Sequence, residues 1–251
     1  MKRLLLPILL LATAFCSAQE AEVKSPDGQL VVHVGTDNGL AYYTVMLNGQ
    51  TVLNRSRLGF TADYGDFSQG LTLEEWTPEE QEFTYSMTRT KASTATVSSG
   101  LMNVSFLNAR NQRMLVEFHV TNRDVAFRYH VLPDMDSGRP LSAVITGEAT
   151  AFNLTEGTTT FLSPQSDPMI GWERTKPSYE EVYRADRPMT ERSQYGHGFV
   201  FPALFRAPLL LPRGGETWVL ISETGVNGSY VGAHLSDYNP PSPGRPRTPV
   251  F

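Results

Sequence analysis

Two adjacent carboxylates, Glu180 and Glu181, stand between two aromatic residues, Tyr179 and Tyr183. A tyrosine ring can cover the apolar face of a sugar, and carboxylate oxygens can bind sugar hydroxyls or a hard cation such as calcium. The same residue types are also common in solvated loops. From the residues alone, this segment is therefore either a candidate site for sugar or calcium, or an ordinary loop.

The other acidic and imidazole side chains make weaker patterns. The pairs Glu74-Glu75 and Glu79-Glu80 flank Trp76-Thr77-Pro78, and we interpret that stretch as a solvated turn. Several of the five histidines fall in strand-like patterns, where a half-buried imidazole is ordinary. They are His33, His119, His130, His197 and His234. Their scatter along the chain does not predict a histidine metal cluster.

The motifs that identify many enzymes directly are missing from this sequence. It has no Gly-x-Ser-x-Gly elbow, no His-Glu-x-x-His helix and no Gly-x-x-x-x-Gly-Lys phosphate loop. Its one cysteine, Cys16, lies near the amino terminus. The residues themselves therefore place no nucleophile and no acid and base pair.

The amino terminus has the layout of a secretory signal peptide. Lys2 and Arg3 precede an apolar run of about 13 residues, which is short of the roughly 20 that a membrane-spanning helix needs. We expect residues 1–18 to be removed by cleavage after Ala18, giving a periplasmic protein. Phe15, a large residue before Cys16, disfavours a lipid anchor. Nothing after Glu20 is apolar for long enough to predict a membrane span.

Charge argues against some partners. The chain carries a formal charge of -5, and removal of Lys2 and Arg3 with the signal peptide changes it to -7. An acidic chain without a basic run has no electrostatic footprint for nucleic acid or for anionic lipid. A neutral or cationic ligand is the better expectation.

The apolar pattern predicts strands and no long helix. Short alternating runs are separated by turn pairs such as Asn38-Gly39 and Asn48-Gly49, which accept positive φ. About a dozen such runs favour packed antiparallel sheets, so we predict an all-β fold, a large antiparallel β-sandwich over residues 19–251. Residues 164–198 alternate poorly, and we expect them to form a long irregular segment of functional interest.

Three groups of residues, in order along the chain, resemble glycoside hydrolase family 97. The first is Ser25-Pro-Asp-Gly-Gln-Leu30 followed by a Tyr-rich strand, Asn48-Gly49 and Ser56-Arg-Leu-Gly59. The second is Val125-Ala-Phe-Arg-Tyr129 after Glu117-Phe118 and Asn122, and the third is Leu220-Ile-Ser-Glu-Thr-Gly225 with Tyr230 and His234-Leu235. The resemblance covers nearly the whole mature chain.

The resemblance implies an exported α-glucosidase or α-galactosidase built from three domains. These are an amino-terminal β-super-sandwich of the galactose-mutarotase kind, a central catalytic (β/α)8 barrel and a small carboxy-terminal β-domain. Calcium lies in the active site of such enzymes, and the sandwich supplies one glutamate ligand, a role that motif matching carries onto Glu180. The expected partners are an α-glucoside or α-galactoside and the protein's own barrel.

The barrel motifs are missing, so we expect this chain to be a truncated amino-terminal domain that is inactive alone. The apolar residues Val250 and Phe251, which follow five prolines in residues 239–249, agree with an unfinished domain. The alternative is a free-standing sandwich that binds sugar or keeps mutarotase-like chemistry. In that case a histidine acid, His197 or His234, would work with Glu223 as the base.

Overall fold

The structure is a computed structural model that describes residues 20–131, 143–166, 183–210, 216–225, 227 and 232–238. These residues contain fifteen β-strands and no helix. The strands are β1 (Glu20–Lys24), β2 (Leu30–Asp37), β3 (Leu40–Leu47), β4 (Gln50–Arg57), β5 (Phe60–Ala62), β6 (Gly65–Asp66), β7 (Thr72–Ser86), β8 (Thr94–Leu107), β9 (Arg113–Val120), β10 (Val125–His130), β11 (Ile145–Glu148), β12 (Thr159–Leu162), β13 (Arg184–Pro188), β14 (Ala203–Leu210) and β15 (Glu216–Ile221).

The first sheet is an antiparallel meander in the order β1-β2-β3-β4. Its two tight turns use the predicted pairs, with φ of 50° and 77° at Asn38 and Gly39 and of 51° and 77° at Asn48 and Gly49. Positive φ at both central residues matches the right-handed twist of a hairpin, which is why these pairs are favoured there. The sequence prediction of these hairpins is confirmed.

The second sheet, in the order β10-β9-β8-β7, packs against the first through contacts of β1 and β2 with β7, β8 and β9. Alternation decides which side chains meet, because successive residues of a strand point to opposite faces. In β9 the even-numbered residues from Met114 to Val120 are fully buried, and the residues between them are half-buried or exposed. The space between the two sheets is the centre of the core.

Two smaller sheets complete the fold, in the orders β11-β5-β6 and β13-β12-β14-β15. The buried side chains of all four sheets belong to one hydrophobic cluster, which extends from Ala21 to Leu235. Every strand pair in the described residues is antiparallel. The predicted all-β antiparallel sandwich is confirmed.

Two local predictions are wrong. The stretch Trp76-Thr77-Pro78 is not a turn, because it lies within β7, the longest strand described here. β7 ends the order of its sheet, and a proline is tolerated in such an edge strand because only one side of the strand needs backbone donors. Residues 164–198 are also not irregular throughout, since they include β13 and a bridge from Pro164 to Phe199.

The segments that carry the family resemblance meet one another in space. The backbone N–H of Gly59 donates a hydrogen bond of 2.9 Å to Tyr129 Oη, so the first group contacts the second. The backbone N–H of Asp27 donates to Asn122 Oδ1 at 3.0 Å, which is a further link between the first group and the second. These residues stabilise the sandwich by joining distant parts of the chain.

Candidate functional site

The sheet β13-β12-β14-β15, called the terminal sheet below, has an inner face built in the usual way. Alternate residues of its strands point toward the core and are buried. They are Thr160, Leu162, Ala203, Phe205, Ala207, Thr217 and Ile221. Ordinary alternation would make the opposite, outer face polar.

The outer face is instead largely apolar. Phe161 lies opposite Leu204, and Leu204 lies opposite Leu220, so three large side chains stand side by side across β12, β14 and β15. Tyr183, next to β13, stacks on Phe161 with ring centroids 5.1 Å apart and ring planes 16° apart. We call Tyr183, Phe161, Leu204 and Leu220 the apolar row. Leu220 keeps 63% of its surface exposed.

A tryptophan and a charged network lie beside the apolar row. Trp218 is 52% exposed and pairs across the strands with Arg206. The Arg206 guanidinium forms ion pairs with Asp186 at 2.9 Å and with Glu216 at 3.7 Å. Arg206 Nε also donates to Thr159 Oγ1 at 3.3 Å. Arg206 therefore has partners within the sheet, and the network forms a polar border to the apolar row.

A shallow depression of about 220 Å³ opens on this face. Its lining includes Phe161, Leu204 and Trp218 on the apolar side and Asp186 and Arg206 on the polar side. Pockets for small ligands usually measure roughly 300–1,000 Å³, so this depression is small for an oligosaccharide. Its chemistry suits the insertion of apolar side chains from a covering surface.

The predicted calcium ligand Glu180 and its neighbour Glu181 lie outside the described residues. Tyr183 follows Glu180 by three positions in the sequence and is the first described residue after it. The chain that carries the candidate glutamate therefore enters the described structure at the apolar row.

The residues of the predicted mutarotase-like alternative fall at the same end of the molecule. Glu223 follows β15, and its carboxylate accepts a hydrogen bond of 2.9 Å from the backbone N–H of Ala233. His197 and His234 are both exposed, on segments that the bridge between Phe199 and Leu235 holds together. The structure places these three residues in one region, and their proposed chemistry stays a prediction.

One cluster that the sequence analysis did not single out lies on the second sheet. Glu117 is 13% exposed and accepts hydrogen bonds from His119 at 2.8 Å, Arg128 at 2.7 Å and His130 at 3.1 Å. Burial alone would raise the pKa of Glu117, but the histidine hydrogen bonds and the Arg128 charge outweigh it and lower that pKa. Glu-x-His and Arg-x-His on successive strands are the signal that could have found this cluster.

The described ranges contain neither a group of metal-ligating side chains nor a membrane-spanning helix. Among these residues, no three His, Cys, Asp or Glu side chains come together in a way that could hold a metal ion. Within the same ranges, no helix has the length and hydrophobicity required to cross a bilayer.

The solved structures that resemble this chain belong to much longer proteins. A β-arabinopyranosidase is 40% identical with a TM-score of 0.78, and the match covers 93% of this chain but 38% of that one. Two structures of a glycoside hydrolase family 97 enzyme from Pseudoalteromonas sp. strain K8, in complex with panose and with acarbose, are 20% identical with TM-scores of 0.62. Each of these matches covers 75% of this chain and 27% of the enzyme.

Sequence comparison identifies the family directly. No curated protein matches the chain. The family model described as Glycosyl-hydrolase 97 N-terminal matches residues 23–249, which is nearly all of the predicted mature chain. This chain spans less than half the length of each of the two enzymes that it matches, and one of them is described as a glycoside hydrolase family 97 enzyme. The chain therefore belongs to the glycosyl-hydrolase 97 N-terminal family.

Proposed function

We propose that this chain is the amino-terminal sandwich of an exported, calcium-dependent exo-acting glycosidase and contributes Glu180 to an active site on a separate catalytic barrel. The family match over residues 23–249 carries the proposal, because it includes Glu180. The sandwich positions a ligand, and the barrel supplies the reacting acid and base. The chain alone is expected to hydrolyse no glycoside.

The position of Glu180 in the sequence agrees with this role. Glu180 precedes Tyr183, the first described residue after it, by only three positions. Tyr183 stacks on the outer face of the terminal sheet. A domain that contacts this face could therefore share a ligand with Glu180.

Calcium fits a shared site better than a site within the sandwich. It takes roughly six to eight oxygen ligands, and the described residues hold no group of three candidate ligands. The remaining oxygens would have to come from outside the described residues, chiefly from the barrel. There the ion would supply charge stabilisation and orientation at the bond that breaks.

The substrate that we propose is an α-galactoside or a β-L-arabinopyranoside. β-L-Arabinopyranosides share the ring configuration of α-D-galactopyranosides and lack only the exocyclic CH2OH group. The 40% identical relative is a β-arabinopyranosidase, whereas the enzyme studied with the glucose-based ligands panose and acarbose is 20% identical. We therefore favour this configuration over that of an α-glucoside.

The proposal is tested in a chimera that joins this chain to the part of the β-arabinopyranosidase it does not match. Glu180→Gln is expected to weaken calcium binding and to lower hydrolysis of nitrophenyl β-L-arabinopyranoside by about 10- to 100-fold, as loss of a metal-site interaction does. Glu181→Gln is the matched control, because adjacent residues of an extended segment point to opposite sides. Equal activity and calcium affinity for Glu180→Gln and the unsubstituted chimera would show that the segment is only a loop.

A further inference from the structure

We propose that the outer face of the terminal sheet, made by the apolar row and Trp218, is the surface on which the catalytic domain docks. The identity of the partner rests on the proposed function. The surface itself follows from the structure of the sheet.

The alternation of the sheet shows that its outer face is built to be covered. A sheet with one face in water alternates apolar and polar residues, whereas near-continuous apolar runs are typical of strands buried on both faces. β15 has Thr217, Val219 and Ile221 toward the core and Trp218 and Leu220 on the outside. Monomeric proteins rarely expose contiguous apolar patches of this kind without an interaction role.

The arrangement also has the anatomy of a protein interface. With strands about 4.8 Å apart, the apolar row crosses β12, β14 and β15 over about 10 Å, and the ring of Tyr183 extends it by the 5.1 Å between its centroid and that of Phe161. Trp218 and the depression beside it provide a pocket and an aromatic anchor, the features that dominate binding energy at interfaces. Arg206, Asp186 and Glu216 form the charged border expected around an apolar centre.

Three observations favour the catalytic domain as the occupant. This chain spans 38% of the β-arabinopyranosidase that it matches, so most of that relative lies outside the matched part. Glu180, the proposed active-site ligand, precedes Tyr183 of the apolar row by only three positions in the sequence. The depression is below the usual size of a ligand pocket, and Phe161 and Tyr183 cover each other's rings, which leaves less aromatic face open for a sugar.

A second exposed aromatic pair supplies a matched control. Phe83 and Tyr85 are 44% and 45% exposed, and their rings stack with centroids 6.1 Å apart. They lie in β7, an edge strand of the second sheet, and not on the terminal sheet. They are exposed aromatic side chains like those of the proposed surface, but they lie on a different sheet.

Hydroxyl-radical footprinting of this chain alone and of the chimera described above is the test. Trp218 is expected to change from about half exposed to buried, so its oxidation should fall about fivefold in the chimera. Oxidation of Tyr85 should not change. The same protection of Trp218 is expected when the catalytic part is added as a separate polypeptide.

Equal oxidation of Trp218 in this chain alone and in both assemblies would overturn the proposal. Protection of this chain alone that grows with its concentration would assign the face to a second copy. Protection by L-arabinose or D-galactose without the barrel would assign it to sugar. If Trp218 is not protected but Glu180→Gln still lowers calcium-dependent hydrolysis, the docking surface is rejected and the proposed function stands.

Discussion

The hydrogen bond between Gly59 and Tyr129 allows a sharp test of what the family motifs do. Tyr129 Oη accepts from the Gly59 backbone N–H at 2.9 Å and shares a hydrogen bond of 2.7 Å with Thr150 Oγ1. Burial raises the pKa of Tyr129 further above neutrality, so the hydroxyl is protonated at neutral pH. Tyr129→Phe removes this oxygen and leaves a ring for the edge contact with Phe60, now 5.4 Å between centroids.

The expected loss follows from the partners left behind. An unsatisfied buried donor costs about 1–3 kcal/mol, and the Gly59 N–H is part-buried, so we expect a loss of about 2 kcal/mol. For a domain of this size a urea m-value of about 3 kcal/mol/M converts that loss into a midpoint about 0.7 M lower. The assay is urea unfolding followed by tryptophan fluorescence.

Tyr85→Phe is the control for this experiment. Tyr85 is exposed, and removing a solvated hydroxyl is expected to change stability by no more than about 0.5 kcal/mol. If Tyr129→Phe and Tyr85→Phe unfold at the same urea concentration, the bond from Gly59 adds nothing to stability. The motif would then need another explanation, such as a role in the complete enzyme.

Three further predictions concern the backbone, pH and export. Gly59→Ala should lower the free energy of unfolding by more than about 2 kcal/mol, because φ is 138° and an added Cβ would meet neighbouring backbone. Gly49→Ala, where an added Cβ meets nothing, should lower it by about 1 kcal/mol, and thermal melts of the two variants will compare these losses. Glu117→Gln should be destabilising at pH 7, and the stability difference between the unsubstituted chain and this variant should shrink as the pH falls through the lowered pKa of Glu117. Urea unfolding midpoints of both proteins at pH 7 and 3.5 will show this. Intact mass after periplasmic expression should give a chain starting at Gln19, and a lipid on Cys16 would contradict this.

The fold could be predicted because its signals are local. Turn pairs such as Asn38-Gly39 fix hairpins through positive φ, and period-two alternation assigns each residue of β9 to a face. The interpretation of Trp76-Thr77-Pro78 as a solvated turn was wrong because it rested on the composition of the stretch and its flanking glutamates. The same residue types, proline included, also suit a solvated edge strand, and only the assembled sheet shows that β7 is one.

The candidate site was less predictable for a physical reason. The apolar run of β15 is typical of a short buried strand, and the sequence does not show that three of the four strands of the terminal sheet place large apolar side chains on the outer face. The Glu117 cluster was missed in the same way, because Arg128 and His130 reach Glu117 only through the pairing of β9 and β10. Both features depend on strand register, which is a property of pairs of strands.

Apart from the last group, which begins at Leu220 of the apolar row, the motifs occupy a different part of the molecule from the site. The segments that carry the resemblance connect distant residues: Gly59 contacts Tyr129, and Asp27 contacts Asn122. Such contacts identify the fold and say little about chemistry. The terminal sheet is the reverse case, since its outer face adds little to the stability of the chain alone but offers Trp218 and the apolar row to a partner. Substitutions at the motifs should therefore change unfolding, and substitutions at the outer face should change domain contact while the sandwich stays folded.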